Sequence, residues 1–124
     1  DAGLDVFFSP EDSATVMINP GESKILETGL KFGVPHGYML EVKNRSSVAA
    51  KRSLIVGACV IDSGYDGEVF INLHNVGSKI QIIAQLVMIP VVHFRAIETS
   101  EEKIYMHPMT ISNRGSGALG STDG

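Results

Sequence analysis

At 124 residues, with 44% hydrophobic and 19% charged positions, the chain suits one packed domain and is too apolar for wholesale disorder. A formal net charge of -4 argues against sequence-independent nucleic-acid binding, which needs a broad basic field. It leaves room for a phosphate ligand held by a few arginines. The one cysteine, Cys59, rules out an intramolecular disulfide and fits a small buried residue in a reducing, cytosolic compartment. No apolar run reaches membrane-spanning length, and no signal-peptide pattern is visible in a sequence that begins at Asp1.

The periodicity is that of strands. Leu4 to Phe8, Thr15 to Ile18 and Leu26 to Phe32 are short apolar or alternating runs bounded by Pro, Gly, Asp or Asn. Tyr38 to Val42 follows the turn signal Pro35-His36-Gly37. Ser46 to Lys51 allows one helical turn at most. Ser53 to Ile61 and Glu68 to Leu73 flank the turn-rich Asp62-Ser63-Gly64-Tyr65-Asp66-Gly67. Ile80 to Ile97 is long enough for a helix, but its Ile and Val content, its Pro90 and its closing alternation predict two strands with a bulge or bend near Pro90. The expectation is an all-β fold of sandwich or barrel type. From Thr110 the composition turns to Gly, Ser and Thr, as in a flexible arm.

Several groups of residues could carry chemistry. Gly115-Ser116-Gly117-Ala118-Leu119-Gly120 spells G-x-G-x-x-G, but it is not expected to open the helix of a βαβ unit, and Ser121 stands where a phosphate loop needs Lys. What survives is a glycine-rich stretch whose N–H groups can approach phosphate, with Arg114 adding charge. Arg45-Ser46-Ser47 offers a guanidinium, hydroxyls and loop N–H groups, a set equally common in solvated loops. Asp62 is either a turn-forming residue or a carboxylate that orients and deprotonates water. Tyr65 is either an amphipathic surface residue or a platform for a ring or sugar. Asp1 and Asp5 would share one strand face, solvated or facing a hard cation. The histidines at 36, 74, 93 and 107 lack metal-ligand spacing.

Taken in chain order, these segments resemble the five motifs of trimeric dUTPases. Asp1-Ala2-Gly3-Leu4-Asp5-Val6 is similar to the first. Asn44-Arg45-Ser46-Ser47-Val48-Ala49 is similar to the second, preceded by Thr28-Gly29-Leu30 and Pro35-His36-Gly37-Tyr38. Val60-Ile61-Asp62-Ser63-Gly64-Tyr65-Asp66-Gly67-Glu68-Val69 resembles the third, and Lys79-Ile80-Gln81-Ile82-Ile83-Ala84-Gln85-Leu86 the fourth. Arg114 through Thr122 resembles the fifth. The resemblance spans essentially the whole chain.

It implies a distorted β jelly roll, with a core over 1–109 and an arm over 110–124 that closes over a neighbouring subunit's site in a homotrimer. It implies Mg2+-dependent hydrolysis of dUTP to dUMP and pyrophosphate. Asp5 would hold magnesium-bound water. Ser46, Arg45, Ser47 and Gln85 would hold the phosphates, and Asp62 would aim the attacking water. Tyr65 would lie under the deoxyribose and exclude a 2′-hydroxyl. Arg114 would clamp the γ-phosphate, with Gly117, Ser121 and Thr122 wrapping it. Backbone groups of a hairpin at Leu54 to Ile61, Val60 among them, would read uracil. Leu119 stands where the family usually has Phe over the base; Val56, Cys59 and Asp66 likewise replace the usual Asn, Gly and Arg. Two alternatives are a dCTP deaminase of the same fold and an inactive regulatory relative. No membrane or stable nucleic-acid partner is expected. The expected location is the cytoplasm, of a host cell for a viral enzyme, or the nucleus for a eukaryotic one.

Overall fold

The computed structural model describes residues 3–12, 14–84 and 88–93. Nine strands and one short helix alternate along them: β1 (Gly3–Phe7), β2 (Val16–Ile18), β3 (Ser23–Glu27), β4 (Met39–Val42), α1 (Ser46–Arg52), β5 (Leu54–Val56), β6 (Val60–Asp62), β7 (Phe70–Asn75), β8 (Gln81–Ile83) and β9 (Met88–His93). They form a four-stranded sheet in the order β1-β9-β4-β6, a three-stranded sheet β3-β7-β5 and the pair β2-β8. Every pairing is antiparallel, as the short alternating runs predict.

One apolar cluster closes the space between the sheets. Val6, Phe8, Ile18, Leu26, Leu73 and Ile83 are among its fully buried members. β7 shows the pattern most plainly, since Ile71, Leu73 and Asn75 are buried while Phe70, Asn72 and His74 lie on the other face. Asn75 is polar yet 1% exposed. Its amide donates to the carbonyls of Ile18 (2.8 Å) and Lys79 (2.7 Å) and accepts from Gly77 N (3.0 Å), so its burial leaves nothing unsatisfied.

The run Ile80 to Ile97 does contain two strands, but their break falls between Ile83 and Met88. Pro90 sits inside β9, where it marks a bulge: Asp5 pairs with Val91 and Val6 with Ile89, so Pro90 is passed over. A residue without an N–H loses no ladder bond there. Residues 94–97 lie outside the described part of the chain. The expected strand Leu26 to Phe32 instead runs earlier, as β3. Thr28 ends it, donating its hydroxyl to Val69 O (2.6 Å) and accepting from Leu30 N (3.2 Å), and Gly29 follows at φ +69°.

α1 is longer than the single turn expected, at seven residues. Ala49 and Ala50 favour helix, Val48 is buried, and Lys51 and Arg52 suit the negative end of the helix dipole. Arg52 then fastens that end to β8, giving Nε–H to Gln81 Oε1 and Nη2–H to Ile82 O, both at 2.8 Å. Ser53 closes the helix in the left-handed region, φ 53°, with its N–H bonded to Ala49 O.

Candidate active site

Two groups of candidate residues emerge, at opposite ends of β4. The first is built around Arg45, which precedes α1 and lies three residues past the end of β4. Its Nε stands 3.8 Å from Asp5 Oδ1, and its Nη1 donates to Ser47 Oγ. Asp5 comes from β1, so the contact joins the first and second motif-like segments in space. Both charged side chains remain partly open, 31% for Arg45 and 41% for Asp5. Ser46 beside them is exposed. The start of α1 carries no side-chain cap, so this corner combines a guanidinium, two hydroxyls and uncapped N–H groups.

The second group is carried by β6 and the turn that follows. Asp62 ends β6 and pairs with Met39, the first residue of β4. Tyr65 N bonds Asp62 O (3.3 Å), and the Tyr65 hydroxyl donates to Glu68 O, which fixes the half-buried ring close to the carboxylate's own turn. Glu68 in turn accepts Gly29 N at Oε2 (3.0 Å), tying this loop to the end of β3.

The strand registers measure how far apart the two groups lie. Asp5 pairs with Val91, whereas Met39, the partner of Asp62, lies two residues before Glu41, the partner of His93. The two carboxylates are thus three strands apart across the sheet and four rows apart along it. At about 4.8 Å per strand and 3.4 Å per residue, this is roughly 20 Å on a flat sheet. Asp5 and Asp62 of one chain cannot bracket the same phosphorus.

The hairpin expected over Leu54 to Ile61 is split between sheets. β5 is an edge strand of the three-stranded sheet and β6 of the four-stranded one, joined by residues 57–59. Val42 N bonds Cys59 O (2.8 Å), which makes Val42–Cys59 a hydrogen-bonded pair. By the antiparallel alternation the next pair, Glu41–Val60, is a non-bonded one, so the Val60 N–H and C=O point away from β4 along the free edge. Val60 therefore presents backbone groups rather than its half-exposed side chain. Cys59 packs against the core.

An apolar recess of about 140 Å³, lined by Phe32, Gly33, Val34, Pro35, Tyr38, Met39 and Leu40, opens beside the Asp62 end of β4. Sequence reading missed it because its walls come from an irregular loop. It is smaller than the several hundred Å³ usual for a site that swallows a ligand of nucleotide size. Gln85, Arg114, Gly117, Leu119, Ser121 and Thr122 lie outside the described residues.

Among the described residues no three His, Cys, Asp or Glu side chains converge as a metal cage. Magnesium fits this chemistry without one. It keeps several waters and is commonly held by one or two carboxylates together with substrate phosphates, so a half-exposed Asp5 beside the Arg45 guanidinium would be a sufficient protein contribution.

The dUTPase family model matches residues 1–122. The chain belongs to the dUTPase family. It is 37% identical over 130 residues to the deoxyuridine 5′-triphosphate nucleotidohydrolase of Clostridium acetobutylicum, covering 98% of this chain and 82% of that one. It is 35% identical over 118 residues to the same enzyme of Chlamydia muridarum, covering 89% and 77%. Among solved structures, the EIAV dUTPase superposes with a TM-score of 0.70 at 27% identity, over 81% of this chain and 80% of that one. The dUTPase of phage phi11 of S. aureus, which coordinates a structural Mg(II) ion, shares the fold at a TM-score of 0.71 and 23% identity, over 81% and 80%. The described strands accordingly form an all-β jelly roll of dUTPase type, and the chain is an enzyme of the nucleotidohydrolase class. Among the described residues no helix is long and apolar enough to cross a membrane.

Proposed function

We propose that this enzyme hydrolyses dUTP to dUMP and pyrophosphate in sites assembled between copies of the chain in a homotrimer. Three groups would build each site: Asp5, Arg45, Ser46, Ser47 and Gln85 of one subunit, Asp62 and Tyr65 of another, and the arm over 110–124. The observation that carries this reading is the separation of Asp5 from Asp62 by four rows and three strands. Family membership calls for both carboxylates at one triphosphate, and only a second copy can bring them there.

The division of labour follows from charge and reach. Arg45, already oriented by Ser47 and Asp5, meets the triphosphate and offsets its charge, with the Ser46 hydroxyl and the Gln85 amide donating to the same oxygens. Asp5 would hold Mg2+ through bound water, and the ion would supply neutralisation of the charge that develops on the leaving pyrophosphate. Asp62 accepts a proton from the water aimed at the α-phosphorus. The Tyr65 ring, held by its hydroxyl on Glu68 O, packs under the deoxyribose and leaves no space for a 2′-hydroxyl. Val60 offers backbone groups to the uracil edge. Arg114, with Gly117, Ser121 and Thr122, wraps the γ-phosphate from the arm, and Leu119 covers the base without aromatic stacking. With one cysteine and this substrate, we assign the enzyme to the cytoplasm.

Subunit complementation tests the composite site. Asp62→Asn and Arg45→Ala proteins, each strongly impaired alone, are unfolded together and refolded as mixed oligomers. Recovery of dUTP hydrolysis is expected, because some interfaces then pair an intact Asp62 with an intact Arg45. Mixed oligomers that form and stay inactive would refute a site shared between copies.

A further inference from the structure

The turn between β5 and β6 rests on two side chains of β7 that lie on the face of that strand away from the core. Asn72 O accepts Gly57 N (2.9 Å), Asn72 Oδ1 accepts Ala58 N (3.0 Å), and Asn72 Nδ2 donates to Lys24 O on β3 (3.2 Å). His74 Nε2 lies 3.3 Å from the same Oδ1. Glycine is required at 57 because a Cβ there would collide with Asn72 Oδ1 and His74 Nε2, so the turn sits on these side chains with no slack. One step earlier, Val56 N is taken by Asn44 Oδ1 (2.8 Å).

The N–H groups of residues 56, 57 and 58 are therefore all committed inside the protein, two of them to Asn72. Ala58 is exposed, so its bond to Asn72 substitutes for core packing in holding the tip of the turn. The donor and acceptor of Val60, two residues on, face the free edge of β6 by the same alternation. A pocket that reads a base by main-chain groups depends on their position to a few tenths of an ångström. We propose that Asn72, braced by Lys24 O and seated beside His74, is a specificity-determining positioning residue. It sets where the Val60 edge stands, and thereby how strictly the enzyme separates uracil from cytosine nucleotides. The inference rests on the reading of this hairpin as the base pocket.

The test uses the full-length enzyme with dUTP and dCTP as substrates. Asn72→Ala is expected to raise KM for dUTP about tenfold, the factor that one net hydrogen bond represents, with kcat within about twofold. The ratio of kcat/KM for dUTP over dCTP should fall by a similar factor. Asn72→Asp keeps an oxygen for Ala58 N–H and should recover most of that ratio. Gly57→Ala, which leaves Asn72 intact but lifts the turn off it, reads the same contact if Asn72→Ala does not assemble. A variant that loses thermal stability or kcat while the dUTP-to-dCTP ratio stays unchanged overturns the proposal. Titrating the 15N-labelled parent with dUMP separates the two levels. If the Val60 and Ile61 amides do not shift, the base-pocket reading fails and Asn72 with it. If they shift and the ratio is insensitive to Asn72, only the role of Asn72 fails.

Discussion

Arg45 Nε faces Asp5 Oδ1 at 3.8 Å, with the neighbouring Nη1 bonded to Ser47. The pair is half-open to solvent, where such contacts contribute under about 1 kcal/mol to stability. Its removal should therefore be felt in activity. Arg45→Ala is expected to lower kcat/KM for dUTP about 100-fold, with the melting temperature shifted by no more than about 2 °C. A collapse in melting temperature would recast the pair as structural.

Asp5→Asn should leave dUTP binding nearly intact but raise the Mg2+ concentration for half-maximal rate about tenfold, as loss of a carboxylate around a hydrated cation does. A magnesium titration at saturating dUTP reads this directly. An unchanged midpoint would remove Asp5 from the metal's surroundings.

Asp62→Asn keeps the shape of the β6 end and should lower kcat by about 10²- to 10⁴-fold, the usual contribution of a general base, while affinity for a non-hydrolysable dUTP analogue is retained. Equal loss of turnover and binding would contradict the base role.

Asn75 offers a control remote from the chemistry. Asn75→Ala strips partners from Ile18 O in the core and from the partly buried Lys79 O and Gly77 N, and an orphaned buried group costs about 1–3 kcal/mol. Chemical denaturation should show a loss of several kcal/mol, with KM for dUTP unaltered in the fraction that remains folded.

Removing the residues after Ser112 should abolish most turnover and leave the oligomer intact by size-exclusion chromatography, if the arm acts as the closure proposed for it. Dissociation on truncation would assign the arm an assembly role instead.

Strand content was legible in the sequence because alternation reports burial, and Pro90 announced its bulge because it cannot donate. The motif order likewise singled out Asp5 and Arg45, which the fold brings within 3.8 Å of each other, and Asp62, whose role is the proposal above. The boundary of β3 was not legible. The hydroxyl of Thr28 ends that strand through a bond to Val69, forty-one residues away, and no local pattern encodes such a partner. The full length of α1 was hidden for the same reason, its last turn being anchored by Arg52 on β8. Asn72 went unnoticed because a polar residue on an alternating strand reads as solvated until a second segment is laid over it.

The skipped residue at Pro90 also decides which length changes this protein can survive. Beyond it, Val91 to His93 meet β1 opposite Asp5, Leu4 and Gly3, and Val92 and His93 also meet β4 opposite Val42 and Glu41. A one-residue loss at Pro90 is absorbed by the bulge, because without Pro90 Val6 still meets Ile89 and Asp5 still meets Val91, now as consecutive pairs of a regular ladder. Gene shortening at this point should thus be tolerated better than in the paired stretch beyond it, where a lost residue would slip β9 against both β1 and β4.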